Sequence, residues 1–118
     1  FKQKTAYEIP KRDWSSDVCS SDLVLPDAAL VERLAELLPE AVRAPIATSA
    51  RVGATDGPVE AMEGFGVLRA ARQAGVPAVE LRAISNHVEE TDRARWDIAG
   101  ALQVVAAAGR IVLDGLRG

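Results

Sequence analysis

The chain has 118 residues, about one domain's worth. Its net charge of −3 and pI near 5.1 remove a composition-level case for nucleic-acid binding or a basic membrane patch. One cysteine, Cys19, excludes an intramolecular disulfide, one histidine, His87, argues against a His-rich metal site, and no uninterrupted apolar stretch approaches the ~18 residues of a membrane span.

Composition changes near Leu23. Lys2, Lys4 and Lys11 are the only lysines, and Cys19 and Tyr7 lie in the same segment; the residues beyond hold ten arginines, 20 alanines and all nine glycines. Residues 1–23 lack the apolar run of a signal peptide. They resemble a translated sequencing adapter: Lys2 to Glu8 read from AAG CAG AAG ACG GCA TAC GAG, and Asp13 to Leu23 from the second constant part of an index primer. On this reading residues 1–23 are not native and make no consistent packing contacts, with neither Tyr7 nor Trp14 buried. Residues 24–118 are then one domain, expected to begin inside a longer protein.

Asp27 is placed to cap a helix from Ala28, with Leu30, Val31, Leu34, Leu37 and Leu38 at helical spacing and Pro39 and Pro45 bracketing its end. Residues 46–52 read as a strand and Gly53 to Pro58 as a turn. Residues 59–66 open as a strand and pass into a helix reaching about Ala74, closed by Gly75 and Pro77. Residues 78–85 read as a strand and 86–96 as a polar loop. Asp97 caps a last helix through about Leu116, whose apolar stripe is Ile98, Leu102, Val105, Ala106, Ile111, Val112 and Leu116. The alternation predicts an α/β fold with a parallel or mixed sheet flanked by helices.

Glu63 falls at a strand-to-helix junction and Asn86 just past the next strand. Both positions lie at the carboxyl edge of a sheet, where open α/β sheets bind ligands. Spacing alone leaves structural roles open: a helix-dipole carboxylate for Glu63 and a turn amide for Asn86.

Residues 59–86, VEAMEGFGVLRAARQAGVPAVELRAISN, resemble the C-terminal half of the nucleoside phosphorylase/nucleosidase superfamily. Within it they are similar to the futalosine hydrolase family, which shares Glu-Ala-Met-Glu-Gly-Phe-Gly, Ile-Ser-Asn and a following Asp-Arg-x-x-Trp, here 92–96. The resemblance extends over about 27–117. It implies an incomplete nucleoside phosphorylase-like fold, a cytoplasmic and cofactor-free nucleosidase, a small-molecule nucleoside substrate, no metal, nucleic-acid or membrane partner, and a homo-oligomeric parent.

The resemblance also implies site roles. Met62 lies against the ribose and Glu63 accepts from its 2′- and 3′-hydroxyls, two carboxylate oxygens meeting two vicinal donors. Asn86 is the catalytic contact to the leaving base: an amide can donate to O6 and accept from N7–H of a 6-oxopurine, whereas a carboxylate would repel O6. Ser85 orients Asn86 or is a strand-end hydroxyl that caps backbone. Phe65 lines the base pocket or packs in the core, and Met62 has the same core alternative. Glu60 precedes the helix opening. Arg82 corresponds to a phosphate-binding arginine of phosphorylases or forms an ion pair with Glu80. His87 reads as an exposed loop residue or, less favoured, a catalytic imidazole, and Trp96 as an anchor for the last helix or, less favoured, a pocket-lining residue. Arg93 and Arg95 could meet a substrate carboxylate or belong to a solvated loop. The superfamily's water-activating carboxylate would precede Leu23, so the 118-residue chain is expected to be inactive. The alternatives are a 6-oxopurine nucleoside phosphorylase and a non-catalytic nucleoside-binding domain.

Overall fold

The computed structural model describes residues 5–7, 23–53, 55 and 57–118; side chains are described from Leu23 onward. It is a mixed α/β arrangement in the order β1 (Thr5–Tyr7), α1 (Ala28–Leu37), β2 (Val42–Arg43), β3 (Ile46–Thr48), β4 (Val59–Ala61), α2 (Gly64–Gln73), β5 (Leu81–Ala83), α3 (Ile98–Arg117), with a 3₁₀ turn at Arg93–Arg95.

Local chemistry accounts for the helix ends. The Asp27 carboxylate accepts from Leu30 N at 2.9 Å and the Asp97 carboxylate from Gly100 N at 3.0 Å. Each satisfies an amide that has no partner in the first turn. Gly75 follows α2 at φ +69°, a left-handed conformation that costs glycine least.

The apolar spacing of α1 buries Val31 and Leu34, the latter 1% exposed, against Ala41, Val79, Leu81 and Val112. This core joins α1, the segment leading into β5, and α3. A backbone bond from Asp27 N to Ala78 O, 2.8 Å, ties the start of α1 to that segment.

The strands differ from expectation. The 46–52 strand ends at Thr48, although Ser49 N still donates to Ala61 O at 2.9 Å. Beyond it, Ser49 Oγ donates to Arg51 O at 2.6 Å and accepts from Arg51 N at 3.1 Å, which turns the backbone out of the ladder. The 78–85 strand contracts to Leu81–Ala83, because Ala78 O accepts from Asp27 N and Ser85 O accepts from Asp97 N. Strand β2 was not expected.

The strands form two groups: β3 and β4 pair in parallel, while the other sheet runs β2-β1-β5, with β1 parallel to β2 and antiparallel to β5. Glu63 and Asn86 therefore follow strands of different sheets, which corrects the expectation of a single sheet edge.

The pairing of Thr5–Tyr7 between β2 and β5, with Ala6 opposite Val42 and Arg82, corrects for these three residues the expectation that residues 1–23 make no consistent packing contacts. Ladder bonds join backbone amides and carbonyls, so an unpaired strand edge accepts a segment of nearly any side-chain composition. The expectations for Trp14 and for the Tyr7 side chain lie outside the described residues.

The α3 stripe is only partly buried. Val105 and Val112 are half-buried, but Ile98, Leu102, Ala106, Ile111 and Leu116 are exposed, and the buried positions are Ala101 and Ala108. Small residues let α3 approach β5 and α1 closely, which turns the larger side chains outward. At 20 residues α3 is long and apolar enough by length and composition to cross a membrane, a helix that the search for an uninterrupted apolar stretch passes over because Gln103, Arg110 and Asp114 interrupt it.

Candidate functional site

The 62–65 segment is set by β4 and the first turn of α2. Glu63 stands at the N-cap position but its carboxylate does not cap the helix. Thr48, at the end of β3, does so instead: its Oγ1 accepts from Phe65 N at 2.9 Å. Sequence reading missed Thr48, since the residue is 17 positions from the amide that it satisfies.

With the cap supplied elsewhere, Glu63 turns to Arg82. Arg82 Nη2 donates to Glu63 Oε2 at 3.0 Å, and Arg82 Nε donates to Glu80 Oε1 at 2.5 Å. The two acids are differently placed, the Glu63 side chain being 66% exposed and that of Glu80 only 9%. Burial alone would depress the Arg82 guanidinium; hydrogen bonds and charge from Glu80 and Glu63 outweigh it and hold the group above its ordinary pKa.

Ser85 Oγ donates to Asn86 Oδ1 at 2.6 Å, and Asn86 Nδ2 donates to His87 O at 2.9 Å. A primary amide has two donors and two acceptor sites, so one of each remains after these bonds. The backbone here is pinned by Asp97 N donating to Ser85 O at 2.8 Å. The following loop is closed by Trp96 Nε1 donating to Glu90 O at 3.0 Å, with the Arg93 guanidinium 5.4 Å from the centre of the Trp96 ring. Arg95 is 74% exposed and makes long contacts to Glu90 and Asp92, 4.0 and 3.9 Å.

A cavity of about 560 Å³ lies between α2, the 78–85 segment and α3, with walls that include Leu68, Leu81, Trp96 and Leu102 and polar groups of Glu80, Arg82 and Ser85. Gly64 and Ser85, the chain neighbours of Glu63 and Asn86, line it; Met62, Glu63, Phe65 and Asn86 do not. Met62 is 55% exposed and Phe65 half-buried, with the Arg69 guanidinium 5.9 Å from the centre of the ring. Glu60 points to the preceding loop, accepting from Gly53 N at 2.8 Å and Thr55 Oγ1 at 2.9 Å. Among the described residues, no group of three or more His, Cys, Asp or Glu side chains is arranged to hold a metal ion.

The chain is 57% identical over 49 residues to the futalosine hydrolase of Streptomyces coelicolor, a match covering 42% of this chain and 21% of that protein. It is 59% identical over 44 residues to the futalosine hydrolase of Acidothermus cellulolyticus, covering 37% of this chain and 18% of that protein. This chain is similar to part of the futalosine hydrolases. The match spans about a fifth of the length of these curated relatives. No family model matches the chain.

Proposed function

We propose that residues 24–118 are a C-terminal part of a purine nucleosidase that hydrolyses futalosine and releases hypoxanthine, with an incomplete nucleoside phosphorylase-like fold. The observation that carries this reading is the identity of 57% and 59% to two futalosine hydrolases.

In hydrolysis, water adds to C1′ while the bond from C1′ to the base nitrogen breaks and the base leaves with a proton. Positive charge builds on the sugar in an oxocarbenium-like state. Glu63, exposed and oriented by Arg82, accepts from the 2′- and 3′-hydroxyls with its remaining lone pairs and favours that charge. Met62, beside it, lies against the ribose. Asn86 is the catalytic contact to the base: its free N–H donates to O6 and its free lone pair accepts from N7–H of the departing hypoxanthine. The hydrogen bond from Ser85 supports this role by holding Oδ1. Phe65 lies outside the cavity described above and lines a base pocket only if the rest of the parent completes one. None of these residues activates water, so the 118-residue chain alone is expected to be inactive. The reaction of the parent, a cytoplasmic homo-oligomer, needs neither cofactor nor metal, and no nucleic acid or membrane takes part.

The test is hypoxanthine release from futalosine by the enzyme encoded by the longer reading frame that carries residues 24–118. Phosphate-independent release is expected. Release only with phosphate would make the parent a phosphorylase, and no release from any purine nucleoside would overturn the reading.

A further inference from the structure

Glu80 is a buried acid that the proposed chemistry does not use. Its Oε1 receives the Arg82 Nε–H, while its Oε2 is buried without a hydrogen-bond partner. The carboxylate fills the space that a Cβ on Gly64 would need. An apolar residue of similar size would fill this place without desolvating a charge, and buried ion pairs are weak sources of net stability.

We propose that Glu80 is a positioning residue: it clasps the inner edge of the Arg82 guanidinium so that the outer edge holds Glu63. Guanidinium is planar and rigid, so fixing Nε fixes where Nη2 points. The exposed Arg82–Glu63 contact could not do this alone, since exposed pairs contribute little and tolerate many geometries. Gly64 is part of the device, because any side chain there displaces the Glu80 carboxylate. The clasp rests on the geometry of three side chains; its consequence for substrate rests on the proposed role of Glu63.

Two readouts separate these. In the ¹⁵N-labelled 118-residue chain, the Arg82 Nε–H should exchange slowly with solvent. Glu80→Met should make it fast, and Glu63→Gln should leave it slow. Equal exchange in wild type and Glu80→Met overturns the clasp. In the longer enzyme, Glu80→Met should lower the preference for ribosides over 2′-deoxyribosides about tenfold, as loss of one well-aligned charged hydrogen bond would. Gly64→Ala should do the same, and Glu80→Gln, which keeps an acceptor for Nε–H, should largely restore it. General destabilisation would lower both activities together and leave their ratio unchanged; an unchanged ratio in both Glu80→Met and Gly64→Ala overturns positioning. A wild-type enzyme inactive on every nucleoside, with slow Arg82 exchange that depends on Glu80, would overturn the nucleosidase reading and support the clasp.

Discussion

In the proposed reaction Glu63 and Asn86 contribute different kinds of recognition, and substitution should separate them. On that proposal Glu63 faces a diol common to all ribosides. Glu63→Gln removes the charge that strengthens those hydrogen bonds and the electrostatic support for a cationic sugar. In the longer enzyme, kcat/KM for hypoxanthine- and adenine-bearing ribosides should fall by a similar factor, about ten to a hundredfold. Steady-state kinetics on both substrates checks this. Thr48 acts on the same turn through the backbone, its hydroxyl accepting from Phe65 N. Thr48→Ala leaves Phe65 N without its acceptor and should cost about 1 kcal/mol of stability, read from the urea midpoint of unfolding.

At the scale of elements, the helices were legible in the sequence and the sheet pairing was not. Asp27, Asp97 and Gly75 act within a few residues of themselves, so their meaning can be read locally. Strands depend on partners: β3 stops where Ser49 bonds Arg51, and β5 is short because flanking carbonyls serve the starts of α1 and α3. The site divides the same way. The Arg82–Glu80 pair spans two positions and was anticipated as one alternative, whereas the reach from Arg82 to Glu63 crosses 19 and the Thr48 cap crosses 17. The exposed apolar side chains of α3 show the limit of periodicity, which finds an apolar stripe without saying which flank is covered. Leu34 is the most deeply buried large side chain of α1. Leu34→Ala should destabilise by about 2–5 kcal/mol, a loss that can unfold a small domain. Asp27→Ala, removing only the cap, should cost about 1 kcal/mol. Thermal unfolding followed by circular dichroism distinguishes the two.

At the scale of the whole molecule, several large apolar side chains stand exposed among the described residues. Val67, Leu102 and Leu113 are 64%, 61% and 57% exposed, on α2 and α3. Exposed apolar side chains promote association where they cluster. Sedimentation velocity on the 118-residue chain should show association that grows with concentration, and Leu102→Glu with Leu113→Lys should reduce it. In the proposed reaction Asn86 is the residue that reads the base. Asn86→Asp in the longer enzyme replaces a donor facing O6 with an acceptor, leaving O6 unpaired and repelled, at about 1–3 kcal/mol. Adenine-bearing nucleosides gain, since a carboxyl group can accept from the 6-amino group and help to protonate N7. The deciding measurement is kcat/KM on paired inosine- and adenosine-type substrates for wild type and Asn86→Asp. The expected result is a wild-type preference for hypoxanthine that falls by about one to two orders of magnitude in the variant; an unchanged ratio would show that Asn86 does not read the base.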